Sequence, residues 1–367
     1  MKRIAILGAT GSIGTTTLSV LRDRTDLPLK VVSLSAHNNR ERLLALANEF
    51  SSEALCFTGS KEEGFFHGYE GLKAMLEEYP VNIVLNGIAG FDGLKASVAV
   101  LEAGYDLALA NKESVVCGGE LLFELARKHN AKIIPVDSEH SAIYELLKGR
   151  EREDVSSLIL TASGGPFRNR DLSTFDSISV GDALAHPTWQ MGKKISIDSA
   201  TMANKALEVI EASYLFGFPD DAIEVVIHPQ SIVHSMIRTR DGAVYAQLGN
   251  PDMSLPIINA LTSMSSNLVT PLDFNHLMLT FEAIDEKRFP LLRCGYDALS
   301  GQGGYPLAFN AANEVAVEAF LSERITYPRL IHTVQRTLDH DWTFTPKSVE
   351  EIIALDSEVR SKAKELM

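Results

Sequence analysis

Residues 4–14 read Ile4-Ala-Ile-Leu7-Gly8-Ala-Thr-Gly11-Ser-Ile-Gly14, four apolar residues followed by three glycines at intervals of three. A short apolar run ending in glycine is a buried strand; the stretch behind it, through Leu21, has helical character. Strand, glycine turn and helix in that order form the context of a dinucleotide phosphate-binding turn. Glycine lets the backbone approach a pyrophosphate, and the helix start offers unpaired N–H groups and a positive dipole end. A tight turn with no ligand is the plain alternative.

Outward from this turn, strands are expected at Val31–Ser35, Ile83–Asn86, Leu107–Ala110 and Lys132–Val136. Helices are expected at Arg40–Phe50, Leu94–Glu102 and Gly118–His129. Alternating strand and helix predicts an α/β fold with a parallel, doubly wound sheet ending near Pro135–Asp137. Beyond it come a strand at Leu158–Ala162, an irregular loop at His186–Lys194 and a helix over Ser199–Phe216 with Ser199 as its N-cap. Strands follow at Ile223–Ile227, Ser231–Arg238 and Ala243–Leu248, and from about Phe309 the chain reads as helical, with Ala312, Val315, Ala319 and Phe320 on one stripe.

The chain has 367 residues, enough for two or three domains, with 45% hydrophobic and 22% charged residues. A formal net charge of −14 argues against nucleic acid or an anionic membrane as the main partner. The apolar region Val81–Ala110 is broken by Asp92, Lys95, Glu102 and Asp106, so no membrane span is expected. The first apolar stretch is too short for a signal segment, and three cysteines, Cys56, Cys117 and Cys294, suit a reducing cytoplasm.

The end of the second strand bears on the cofactor. An NAD site usually places a carboxylate there to hold the ribose hydroxyls. Here Ser35-Ala36-His37-Asn38-Asn39-Arg40 has none before Glu41, which favours a 2′-phosphate and hence NADP. Asp137-Ser138-Glu139 follows a strand; in extended chain its two carboxylates face one side. The alternative is a helix start with Asp137 as cap and Glu139 in the first turn. On the later helix Asn204 and Glu208 share a face and Lys205 borders it. Glu208 would be a third carboxylate, and an all-oxygen set selects a hard divalent cation, Mg²⁺ or Mn²⁺. A solvated face with a Lys205–Glu208 pair is the other reading. Ser163 and Ser199 suit phosphate, or simply turns and caps. His186, Trp189 and Met191 occupy the irregular loop, either as a lid over substrate or packed on the surface. Asn111-Lys112-Glu113 lies at a strand end beside the cofactor cleft. Cys117 raises a rival, a thiol-dependent NADP aldehyde dehydrogenase, and a non-catalytic NADP(H) sensor is the second.

The blocks GATGSIG (8–14), ANKES (110–114), PVDSEHSA (135–142), LTASGGPF (160–167), HPTWQMGKKISIDSATMANKALEVIEA (186–212), HPQSIVHS (228–235) and FNAANE (309–314) cover nearly the whole chain. On these blocks the sequence resembles the 1-deoxy-D-xylulose 5-phosphate reductoisomerase family. The resemblance implies an N-terminal Rossmann-type NADP domain (1–137), a central α/β catalytic domain (138–265) with a lid near 186–194, a linker (266–290) and a C-terminal helical bundle (291–367). It also implies a cytoplasmic homodimer that converts a sugar phosphate with NADPH and a divalent cation, Co²⁺ being a further candidate. The metal ligands would be Asp137, Glu139 and Glu208. Ser163, Ser199, Asn204 and Lys205 would hold the phosphate end, Ser138 and Lys112 the reacting portion, with His186, Trp189 and Met191 in the lid. Lys205, Lys112 and Glu139 would be the catalytic residues. Thr10, Gly11, Ser12, Ile13, Ala36, His37, Asn38, Asn111, Lys112, Glu113 and Gly192 would line the cofactor. Family members often carry glycine and a basic residue where this chain has Ala36 and His37, a departure that bears on the 2′-phosphate contact and not on the cofactor class.

If the loop covers substrate, Trp189→Ala should raise the KM for the sugar phosphate more than the Kd for NADPH. Steady-state kinetics and a cofactor fluorescence titration test this; the reverse pattern would reject the lid.

Overall fold

The apolar run becomes β1 (Lys2–Leu7), with Ile4 to Leu7 wholly inaccessible to solvent. Burial on both faces is what a central parallel strand requires. The computed structural model describes residues 1–59, 61, 63–189, 191–262 and 269–367. It divides into two units, the first comprising Met1–Ser141 with Asp252–Thr270, the second Ala142–Pro251 with Pro271–Met367.

In the first unit β1 is followed by α1 (Ser12–Asp23), β2 (Leu29–Ala36), α2 (Arg40–Phe50), β3 (Ala54–Phe57), β4 (Phe66–His67), α3 (Gly68–Glu78) and β5 (Ile83–Asn86). Then come α4 (Asp92–Glu102), β6 (Asp106–Leu109), α5 (Lys112–Lys128) and β7 (Ile133–Pro135). The seven strands run parallel in the order β4-β3-β2-β1-β5-β6-β7. Strand order reverses between β1 and β5, and ligands of such sheets bind outside the strand ends at that point. The doubly wound sheet expected from the sequence is therefore present. β3, β4 and α3 were not foreseen. α5 starts six residues before the expected Gly118, which Gly119 obscures: its φ of 43° and ψ of −131° interrupt the helix without ending it.

The first unit also takes back a distant segment. After α6 (Ser138–Leu147), within which the unit boundary falls, the second unit contains β8 (Val155–Ala162), α7 (Val180–Leu184), α8 (Lys193–Thr201) and α9 (Ala203–Phe216). β9 (Ile223–Ile227), β10 (Val233–Thr239) and β11 (Val244–Leu248) complete its four-stranded sheet, order β11-β10-β8-β9, with only β8 and β9 parallel. Next in sequence, α10 (Ser254–Leu261) returns to the first unit, where Ile257 and Leu261 join Ile4, Leu34 and Leu85 in the core. Burying each such side chain stabilises by about 2 kcal/mol, enough to make the segment part of that core. The domain division expected from the sequence places it instead at the end of a central domain at 265. That endpoint, and the start of the linker at 266, lie outside the described residues.

The rest of the second unit is helical: α11 (Pro290–Gly301), α12 (Tyr305–Leu321), α13 (Tyr327–Leu338) and α14 (Val349–Leu366). α12 is buried nearly all round, because α8, α11, α13 and α14 all pack on it. The single stripe read from the sequence was thus one side of an enclosed helix.

Of the two readings of Asp137-Ser138-Glu139 the helix start holds: the chain turns helical at Ser138. One local expectation is corrected: there is no single helix over Ser199–Phe216. α8 already runs from Lys193, and Met202, in the left-handed region at φ 63°, separates it from α9. Ser199 therefore lies inside α8 and caps nothing.

The glycine turn is among the tightest points of the first unit. A Cβ on Gly14 would lie 2.4 Å from the Gly8 carbonyl oxygen and 2.5 Å from the Ala9 Cα. Neither backbone atom can step aside, so Gly14→Ala should cost about 3 kcal/mol of stability. Urea unfolding followed by circular dichroism measures it; a change under about 0.5 kcal/mol, the scatter of harmless substitutions, would refute the close approach.

Candidate active site

At the β1 end Gly8 takes φ +77°, and a Cβ there would lie 2.9 Å from the Gly87 carbonyl oxygen just after β5. Gly11 is the N-cap of α1; no side chain caps this end, and its first turn holds no acidic residue. Nothing there repels an anion, and Thr10, Gly11, Ser12 and Ile13 remain accessible at the switch point. The backbone thus fits a pyrophosphate. At the β2 end Ala36 is buried, whereas His37 and Asn38 are exposed; His37 Nδ1 lies 3.2 Å from Thr58 Oγ1. Asn39 is engaged as a cap, accepting from the Arg42 N–H at 3.2 Å.

Asn111 caps α5: its Oδ1 accepts from Ser114 N at 2.8 Å, and its Nδ2 donates to Gly90 O at 3.0 Å and Glu113 Oε2 at 2.8 Å. The neighbouring Lys112 donates through Nζ to Asp137 Oδ2 at 2.8 Å, with side chains 7% and 12% exposed. Asp137 Oδ1 accepts the Glu139 N–H at 3.1 Å, so the helix-start reading of this segment holds. Ser138 Oγ donates to Glu139 Oε2 at 2.5 Å. His140, which the sequence reading passed over, is fully buried with Nδ1 3.1 Å from Asp137 Oδ1. Its place three residues after a capping carboxylate was the available signal. A cap needs one carboxylate, not a lysine and a histidine converging on it. Desolvating that many ionisable groups costs stability, which points to a functional cluster.

In the second unit Lys205 and Glu208 are 4% and 1% exposed. Lys205 Nζ pairs with Glu208 Oε2, and Asn204 Nδ2 donates to Glu208 Oε1. The solvated-face reading fails on those exposures, since surface ion pairs are worth under about 1 kcal/mol and this one is sequestered. Ser199, half-buried on α8, precedes the break that starts α9 beside these residues.

The irregular loop has a defined anchor. His186 Nδ1 accepts the backbone N–H groups of Thr188 at 3.2 Å and Trp189 at 2.9 Å. An Nδ1 that accepts cannot carry a proton, so the neutral ring bears its hydrogen on Nε2. Nε2 then donates to Ser163 Oγ, 3.0 Å away, leaving the serine proton free to donate elsewhere. Burial holds the His186 pKa below its ordinary 6.5, in keeping with that tautomer. Trp189 and Met191 are half-buried, Gly192 is the exposed N-cap of α8, and residue 190 of the expected lid lies outside the described residues.

The thiol rival finds no support. Cys117 is 5% exposed inside α5, and burial pushes the Cys56 and Cys294 thiols up to about 12. A doubly wound sheet with a glycine turn at its switch point, and buried lysine–carboxylate sets, define a dinucleotide-dependent α/β oxidoreductase. Family profiles narrow the class: 1-deoxy-D-xylulose 5-phosphate reductoisomerase matches residues 4–119, and two of its C-terminal domain profiles match 133–216 and 248–362. The chain is 45% identical to the 1-deoxy-D-xylulose 5-phosphate reductoisomerase of Treponema denticola over 99% of this chain and 96% of that one. With the Treponema pallidum protein of the same name the identity is 47%, covering 99% and 97%. A crystal structure of DOX-P reductoisomerase in complex with NADPH, fosmidomycin and magnesium has a TM-score of 0.91 at 37% identity, covering 100% of this chain and 98% of that one. The Zymomonas mobilis reductoisomerase with NADPH has a TM-score of 0.90 at 37% identity and the same coverage. The chain belongs to the 1-deoxy-D-xylulose 5-phosphate reductoisomerase family.

The His186 anchor sets a pH dependence. Because burial lowers its pKa, the ordered loop binds the proton less tightly than a released loop does. Order is retained above the ordinary value of 6.5 and lost as pH falls below it. In a Trp342→Phe background, Trp189 fluorescence should titrate with a midpoint below 6.5, and His186→Asn should abolish the transition. An unchanged titration in His186→Asn would reject the anchor.

Proposed function

We infer that the protein catalyses the NADPH- and divalent-metal-dependent conversion of 1-deoxy-D-xylulose 5-phosphate to 2-C-methyl-D-erythritol 4-phosphate in the mevalonate-independent route to isoprenoid precursors. Family membership over the whole chain carries this reading. The carbon skeleton is first rearranged to a branched aldehyde of the same composition; one hydride and one proton then reduce it to the alcohol. When bound, the cation would polarise the ketone and hydroxyl oxygens of the substrate, and NADPH would supply the hydride.

The glycine turn fits the cofactor, with Thr10, Gly11, Ser12 and Ile13 at its pyrophosphate. Ala36, His37 and Asn38 take the adenosine end, and Asn111, Lys112, Glu113 and Gly192 the remainder. For Asn111 and Glu113, whose side chains hold the start of α5, the support favours shaping the pocket wall over donating bonds to the cofactor. Asp137, Glu139 and Glu208 offer an all-oxygen donor set suited to Mg²⁺ or Mn²⁺, with Co²⁺ the further candidate. Magnesium is present in three of the similar solved structures. Lys112, already paired to Asp137, and Lys205, paired to Glu208, offset negative charge developing on substrate oxygens. Ser138 orients the reacting portion. Ser199, Asn204 and Lys205 hold the phosphate end together with Ser163, whose hydroxyl proton His186 leaves available. The loop through Trp189 and Met191 excludes water and retains the intermediate aldehyde.

A cytoplasmic homodimer completes the proposal. Among the described residues no helix is long and apolar enough to cross a membrane. β11 is an edge strand whose Val244 and Tyr245 are 48% and 42% exposed, a surface suited to a second copy.

NADPH oxidation on addition of 1-deoxy-D-xylulose 5-phosphate tests the activity; it should stop with EDTA and return with Mg²⁺ or Mn²⁺. Glu208→Gln keeps the side-chain shape but removes the charge. It should abolish turnover while leaving the NADPH Kd within about threefold, a shift of under 1 kcal/mol. Normal turnover in that variant would overturn the three-carboxylate site.

A further inference from the structure

The FNAANE block (309–314) has no part in the chemistry described so far, although it sits on the most enclosed helix of the second unit. Asn310 and Asn313 of α12 are both fully buried. Asn313 Nδ2 donates at 2.7 Å to Oδ1 of Asp198, a carboxylate on α8 that is itself only 1% exposed. The second oxygen of Asp198 accepts from Lys194 Nζ at 2.8 Å. With a carboxylate facing it, the asparagine must present its NH₂ group, so the orientation of the amide is set by charge. The next helix of the bundle reaches the same turn. Tyr327 on α13, buried among Phe167, Phe175 and Phe320, donates its hydroxyl to the Ala200 carbonyl at 2.8 Å. On the other side Gly165, at φ +61°, packs so closely that a Cβ would lie 2.8 Å from the Ser199 carbonyl oxygen. Residues 198, 199 and 200 are thus each held by a different element, and the residue in the middle is Ser199.

We propose that Asn313 and Tyr327 are positioning residues for phosphate recognition, clamping the last turn of α8 through Asp198 and Ala200 so that Ser199 is fixed for the substrate's phosphate. This rests on the reading that Ser199, Asn204 and Lys205 bind the phosphate end. Neither Asn313 nor Tyr327 need touch the substrate. A hydroxyl binds a phosphate well only if its backbone cannot drift, and a helix end beside the left-handed Met202 has no intrinsic rigidity there. Two bonds from the helical bundle supply it. The C-terminal helices accordingly have a definite task in substrate selection, beyond general support of the fold.

The test uses the full-length enzyme, purified Asn313→Ala and Tyr327→Phe variants, and Ser199→Ala as a reference. The KM for 1-deoxy-D-xylulose 5-phosphate and the Ki for inorganic phosphate as a competitor should rise together, about tenfold in Asn313→Ala and about fivefold in Tyr327→Phe. The kcat and the NADPH KM should stay within about twofold, under 0.5 kcal/mol, whereas general loosening of the fold would lower kcat and NADPH affinity as well. If Asn313→Ala does not fold, Tyr327→Phe, which removes a single oxygen, decides alone. Should Ser199→Ala raise both constants while the folded bundle variants leave them unchanged, the clamp is refuted and the phosphate site stands. Should Ser199→Ala change neither, the phosphate reading itself fails.

Discussion

The first unit depends on backbone meeting backbone without side chains between them. Where Gly8 meets Gly87, and at Gly14, the ends of β1 and β5 and the start of α1 approach to distances that a Cβ on Gly8 or Gly14 would violate. That approach seats α1 directly on the sheet and directs its positive end to the point where strand order reverses. The sheet order, the cofactor turn and the core built on Ile4 and Ile6 all follow from this geometry. Each would shift if α1 were displaced by a methyl group.

Buried charge is the counterpart of that close packing. The Lys112–Asp137 and Lys205–Glu208 pairs are kept from solvent at a desolvation cost that apolar residues would avoid. Fold stability does not account for them; a reaction in which negative charge moves between substrate oxygens does. Each pair sits at a helix start, α5 for Lys112 and α9 for Lys205, where the backbone fixes the lysine stem and only its end can adjust.

Much of this was legible in the chain. Four apolar strand residues and three glycines marked the first strand and its turn, and alternating strands and helices the parallel sheet, because such elements are encoded locally. The strand order and its switch point were not part of the sequence reading. The three carboxylates and Lys205 could be singled out as candidates by spacing and by resemblance. What sequence could not show is what tertiary packing decides. The Asp137-Ser138-Glu139 segment is helical because Asp137 accepts backbone N–H groups, a competition with extended chain that no periodicity resolves. α10 belongs with residues more than a hundred positions earlier because Ile257 and Leu261 fill their core. His140, Asp198 and Asn313 acquire roles only through partners at a distance or through burial, and composition carries no mark of either. The single stripe read on α12 was the visible part of a helix enclosed on all sides.

Met202 gives the second unit a different kind of economy. Left-handed backbone at a residue with a side chain costs about 1 kcal/mol, and an unbroken helix from Lys193 to Phe216 would have avoided it. In that unbroken helix Asn204 and Lys205 would lie mid-span, where peptide dipoles cancel. Severing it at Met202 creates a second beginning, with the dipole of all fourteen residues of α9 gathered at the turn that carries those two side chains. One unfavourable torsion converts the middle of a helix into an electrostatic pole, aimed where the proposed function puts the substrate's phosphate.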